Sequence, residues 1–159
     1  MSTSPWARHA PPPRPAGSAA VGRWQPGTLA ELTLARRQLN AALHDGARPA
    51  GCDEGAVQLL LLAFEELVSN ALRHGGTPIE VVVTRTGACW LLEVRDTAAD
   101  RPPAPARDRD PALGGLGLPL VAKICDDHGW TVEDGRKLVW ASLAHSSAGP
   151  PDAGTPGCG

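Results

Sequence analysis

The sequence predicts an α+β fold in which helices cover one face of a sheet. Three observations carry this. Two stretches in the first half, 29–43 and 53–74, repeat apolar residues at helical spacing. Beyond Gly75-Gly76 the pattern changes to short runs rich in β-branched residues. A glycine-led helical stretch then separates one hairpin from a second, giving the order (β)-α-α-β-β-loop-α-β-β.

Each element has its own signal. Val21 to Trp24 reads as a short edge strand, ended by Pro26-Gly27. Thr28 caps a helix from Leu29 to Leu43, with Glu31 at its third position in a capping-box pattern. Leu29, Leu32, Ala35, Leu39 and Leu43 share one face of it. Asp53 caps a second helix, which Gly75-Gly76 stop after His74. Val57, Leu60, Leu61, Phe64, Val68 and Leu72 give that helix a broad apolar side. Ile79 to Thr86 and Cys89 to Val94 read as strands joined at Gly87-Ala88. Residues 97–114 lack periodicity and hold four prolines, as lids and binding loops do. Leu116 to Asp127 reads as a third helix. Trp130 to Glu133 and Lys137 to Leu143 form a last hairpin around Asp134-Gly135.

Composition bounds the rest. The 159 residues suffice for one domain. Residues 1–20 carry five prolines and read as a solvated arm in which little is buried; 145–159 read as a disordered tail. The domain is therefore expected over 21–144. Fifteen Lys and Arg against 17 Asp and Glu give a net charge of -2, no case for nucleic acid or an anionic membrane. The longest strongly apolar run, Leu59 to Phe64, is far short of the about 20 residues of a spanning helix. The first 20 residues lack a signal-peptide core, so the expected location is cytoplasmic. Cys52, Cys89, Cys125 and Cys158 stand apart with no CxxC pair, and four reduced thiols are expected. Cys125 and His128 have metal-compatible spacing, but no second pair completes a zinc cage. Trp24, Trp90, Trp130 and Trp140 lie in expected strands and should pack in or beside the core.

The chemistry begins on the second helix. Glu66, Asn70 and His74 recur every four residues, about 6 Å apart along one face. Asparagine is a poor helix-interior residue. A carboxylate and an amide oxygen one turn apart are hard oxygen ligands of the type Mg²⁺ takes beside phosphate. The carboxylate could also accept a proton from a hydroxyl. The bland alternative is a solvated face. Asp96, at the end of the Leu91-Leu92-Glu93-Val94 strand, can accept a hydrogen bond from an exocyclic amine such as that of adenine. Gly114-Gly115-Leu116-Gly117-Leu118 opens a helix, where backbone N–H groups and the helix dipole favour phosphate. No Gly-Lys-Ser/Thr follows, so this is not a Walker A loop.

Glu66-Leu67-Val68-Ser69-Asn70-Ala71-Leu72-Arg73-His74, Val94-Arg95-Asp96 and Gly115-Leu116-Gly117-Leu118-Pro119-Leu120-Val121, in that order, resemble the GHKL (Bergerat) ATP-binding domain. The ExVxNAxxH run and the short length resemble the bacterial anti-sigma-factor serine/threonine kinases and the small stand-alone ATP-binding regulators of actinobacteria. Lys137-Leu138-Val139-Trp140-Ala141 resembles their closing element. The resemblance implies a two-layer α/β sandwich with a mixed sheet, binding ATP and Mg²⁺. It implies that Asn70 holds Mg²⁺ and that Glu66 acts as general base or orients the attacking hydroxyl. His74 would support the neighbouring loop, and Asp96 would bind the adenine amine. Gly115, Leu116, Gly117 and Leu118 would contact the phosphates, with 97–114 as the lid. The implied partners are a sigma factor or its antagonist protein, with a homodimer possible. The run departs from the family pattern at Asp96-Thr97-Ala98-Ala99-Asp100, which lacks glycine, and at Leu116, where kinases often carry arginine. Two other readings stand beside the kinase: a non-catalytic ATP-sensing interaction module, and a scaffold that binds no nucleotide.

Overall fold

The computed structural model describes residues 6–45, 51–103 and 117–145. In chain order they form β1 (Ala19–Trp24), α1 (Leu29–His44), α2 (Glu54–His74), β2 (Glu80–Arg85), β3 (Cys89–Asp96), α3 (Gly117–Ile124), β4 (Asp127–Glu133) and β5 (Arg136–Ala144). The expected order is thus observed among the described residues.

Local chemistry sets the boundaries. The Thr28 hydroxyl accepts from the Glu31 amide at 3.1 Å, and the Glu31 carboxylate accepts from the Gly27 amide at 2.5 Å. The reciprocal bond therefore falls one residue before the cap. Asp53 caps α2 by accepting from the Ala56 amide at 2.6 Å. The β2–β3 turn closes with the Thr86 amide on the Cys89 carbonyl at 2.7 Å. At the β4–β5 turn Asp134 and Gly135 both take positive φ, 51° and 75°, as a two-residue hairpin of matching twist requires. The third helix is shorter than expected. The Asp126 amide already bonds to the Ser142 carbonyl at 2.9 Å, so sheet pairing captures 127–129 as the start of β4.

The five strands lie in the order β1-β2-β3-β5-β4. Every pairing between named strands is antiparallel, where a mixed sheet was expected. The reason is the connection after β3. It carries α3 and returns to the sheet edge as β4, and the hairpin then places β5 antiparallel to β3. Among the described residues, parallel pairing occurs only as an isolated bridge between Arg8 and Trp130.

One face of the sheet, with Trp90, Leu92, Val94, Val139, Ala141 and Leu143, packs on Leu39 and Leu43 of α1 and on Leu60, Phe64 and Val68 of α2. α2 has the length and hydropathy of a membrane-crossing helix, contrary to the sequence reading, and 56% of its most apolar window is buried. Its apolar side is the core of the domain. The four strand tryptophans behave as expected. Trp90 and Trp140 are fully buried, and Trp24 meets Phe64 edge-on at 5.4 Å. Trp130 lies half-buried beneath the Arg8 guanidinium.

The N-terminal segment differs from its expectation as a solvated arm. Trp6 is 2% exposed and meets the His128 ring edge-on at 4.6 Å. The Trp130 amide donates to the Ala7 carbonyl at 3.1 Å, so this segment extends the β4 edge. The Trp140 indole N–H donates to the His9 carbonyl at 2.9 Å. Arg14 pairs with Glu93, whose side chain is 3% exposed and also meets Arg95 at 3.4 Å. The segment therefore crosses the outer face of the sheet, over Leu91, Leu138 and Trp140. Prolines forbid regular elements but not burial, and an extended chain can cover a sheet face. Trp6→Ala is expected to lower stability by about 3–5 kcal/mol, the cost of truncating a buried aromatic. Urea unfolding of the two proteins checks this; equal midpoints would show the segment to be a passive cover.

Cys52 and Cys125 form no disulfide. Cys89 is disulfide-bonded, which its spacing did not indicate. Burial pushes the Cys125 thiol up to about 12. At the end of β5, His145 is 7% exposed, with its ring 4.6 Å from that of Trp90. Burial lowers its proton affinity, Arg85 adds to the effect, and a backbone hydrogen bond to Cys89 opposes it. The unfolded chain thus binds this proton more tightly, and stability falls as the pH drops below the ordinary value of 6.5. Thermal melts between about pH 7.5 and about pH 5.5 should show that loss, and His145→Phe should flatten it.

Candidate functional site

The polar row of α2 forms as the spacing predicts. Leu67, Val68 and Ala71 turn into the core, which leaves Glu66 and Asn70 half-buried and His74 exposed beside them. The N-terminus of α3 packs against this row. A Cβ built at Gly117 would come within 2.7 Å of Glu66 Oε2. A residue with a side chain would force the carboxylate away, so glycine permits the close approach. Pro119, in the first turn of α3, lacks only an N–H that has no intrahelical partner there. Leu118 is 2% exposed and belongs to the core, so only its backbone remains to offer a ligand. Gly115 and Leu116, and the lid beyond Pro103, lie outside the described residues.

The second part of the site lies where α2 ends. Gly75 follows the helix with φ -86°, so its role is not a left-handed cap. A Cβ there would stand 2.5 Å from Asp96 Oδ2 and 2.7 Å from the Ala71 carbonyl oxygen. Gly75 is glycine because the Asp96 carboxylate occupies that space. The Thr97 amide donates to the Gly76 carbonyl at 2.9 Å and joins the two segments.

Asp96 itself is 1% exposed. Its Oδ1 accepts from the Ala98 amide at 2.8 Å. Its Oδ2 lies 3.4 Å from the Lys137 ammonium, whose side chain is 4% exposed. Asp96 and Lys137 are directly opposite in the β3–β5 register. A carboxylate offers about four acceptor positions, and these two partners leave capacity for a further donor. Lys137 is the buried partner of Asp96 that the sequence reading left without a role. A signal was present: Lys137 is in phase with Val139, Ala141 and Leu143, the inward residues of β5.

The structure thus brings Glu66 and Gly117 together at one point and Gly75, Asp96 and Lys137 at another, with Asn70 on the turns of α2 that connect them. The donor set suits a purine nucleotide. Asp96 is a buried carboxylate with acceptor capacity left over, and helix N–H groups stand at the start of α3 for anionic oxygens. An anion at that N-terminus would meet the Glu66 carboxylate, and a divalent cation held by hard oxygens would balance the two charges. The family model described as histidine kinase-like ATPase domain matches residues 26–143, which contain the whole of this arrangement. ATP, typically with Mg²⁺, is the ligand that such a domain implies. The chain belongs to the histidine kinase-like ATPase domain family.

Proposed function

We propose that the chain is an ATP- and Mg²⁺-binding regulator that phosphorylates a serine or threonine of an antagonist protein, as anti-sigma-factor kinases do, and so controls transcription. The observation that carries this reading is the contact between Glu66 and the glycine start of α3. It sets a proton acceptor beside backbone donors suited to phosphate. Bound ATP would supply the transferable γ-phosphoryl group, and Mg²⁺ would neutralise its charge. Asn70 would hold the metal. Asp96 would accept from the adenine amine. Glu66 would take the proton of the acceptor hydroxyl, leaving ADP and a phosphoserine or phosphothreonine as products.

Calorimetric titration with ATP, first with Mg²⁺ and then with EDTA, tests the site. Binding tighter than about 1 mM, or about -4 kcal/mol, that weakens without Mg²⁺ supports it. Incubation with γ-labelled ATP and candidate antagonist proteins tests the transfer. Binding without transfer would make the protein an ATP-sensing interaction module. No binding would leave a scaffold.

A further inference from the structure

The N-terminal segment lies on the outer face of the sheet as a ligand lies on a receptor. Beneath it Leu91, Leu138 and Trp140 are 3%, 0% and 0% exposed. The cover itself stays in solvent. Of residues 6–14 only Trp6 is buried, Pro11 and Pro12 are half-buried, and the other six are exposed. The sheet meets the segment with groups of its own. The Trp130 amide and the Trp140 indole N–H donate to the Ala7 and His9 carbonyls at 3.1 Å and 2.9 Å. The His128 carbonyl accepts from the His9 ring at 2.8 Å. At Gly129 a Cβ would stand 2.6 Å from that ring and 3.1 Å from the Ala7 carbonyl oxygen, so glycine keeps the path open. At the far end the Glu93 side chain, 3% exposed, receives Arg14, which is 48% exposed. Aromatic grooves commonly hold extended proline-bearing chains, whose fixed φ lowers the cost of ordering. All these sheet groups sit on β3, β4 or β5, and none uses the turn at Pro15–Ser18 that leads into β1.

We propose that the outer face of the sheet is a docking groove for an extended segment of a partner protein, with an aromatic residue at one end, prolines along it and an arginine at the other, and that residues 6–14 occupy the groove as a built-in competitor. Trp6 against His128 and Arg14 on Glu93 mark its two ends. Glu93 selects a cation there, because a carboxylate is costly to cover without a counter-charge. When the segment leaves, Leu91, Leu138 and Trp140 become an apolar patch beside that carboxylate, a surface suited to a second peptide. A tether sets a local concentration on the order of mM. A free segment therefore displaces the tethered one only when it fits better or when the tethered one is weakened. The groove is on the face of the sheet opposite α1 and α2, and the proposal does not rest on the nucleotide reading.

The probe is a fluorescein-labelled peptide of residues 6–16, titrated with the full chain and followed by fluorescence anisotropy. Arg14→Glu sets a carboxylate against Glu93 and loosens the tethered segment without altering the sheet. Trp6→Ala removes the other anchor. The peptide should bind each variant about tenfold or more tighter than it binds the wild type. A peptide that itself carries Arg14→Glu should bind those variants at least about tenfold more weakly than the unchanged peptide. Circular dichroism checks the fold. Arg14 is half-exposed, so Arg14→Glu keeps the test open should Trp6→Ala fail to fold. Binding that is absent, or equal for the wild type and the folded variants, overturns the proposal and makes the segment a fixed part of the fold. Equal affinity of the two peptides also overturns it, since adhesion to apolar surface would then account for the binding.

Discussion

Asp96→Ala is expected to cost the protein stability and nucleotide together. The substitution leaves the Lys137 ammonium, with a side chain 4% exposed, without its counter-charge, and it removes the acceptor of the Ala98 amide. Breaking a buried ion pair by deleting one partner typically costs about 3–5 kcal/mol. ATP and ADP should weaken alike, by about tenfold or more, because both carry the same base. Asp96→Asn separates the two effects. Its amide oxygen still accepts from Ala98, so stability should recover in part while the base contact changes character. Urea unfolding gives the first quantity and calorimetry with each nucleotide the second. If Asp96→Ala unfolds with its parent, the ion pair contributes nothing. If it binds ATP with its parent, the base lies elsewhere.

What the sequence made legible follows from the range of the interactions. The helices and hairpins were readable because Thr28 and Asp53 cap the residues next to them, and Asp134-Gly135 demands its own turn. The polar row on α2 was readable because Glu66 and Asn70 lie one helical turn apart. The contacts that the reading missed join distant residues: His9 with Trp140, Arg14 with Glu93, Asp96 with Lys137. No local pattern encodes these pairings. The N-terminal prolines gave a correct local statement, since no helix forms among the described residues 6–20, but no local signal marked Trp6 as the one residue there that is buried. Gly75 shows the opposite case. The helix does end at that glycine, but the space a side chain would need there is filled by the carboxylate of Asp96, 21 residues further on.

Glu66→Gln should separate chemistry from binding. The substitution keeps the size of the side chain and an oxygen beside Gly117, so ATP affinity should remain within about threefold. On the proposed reading it removes the acceptor of the hydroxyl proton, and transfer should slow by about 10²–10⁴-fold, the usual weight of a general base. Asn70→Ala should do the reverse in part. On the same reading it deletes a metal ligand, so the Mg²⁺-dependent share of ATP affinity should vanish while the affinity measured in EDTA stays. Gly117→Ala provides a geometric control, since its Cβ, built 2.7 Å from Glu66 Oε2, would displace the carboxylate without changing its charge. Slower transfer there with a normal fold would tie the rate to position rather than charge alone. Unchanged transfer in Glu66→Gln would mean that Glu66 acts only on the α3 dipole. Its loss should then appear as about 0.3–1 kcal/mol in unfolding and nowhere in the kinetics.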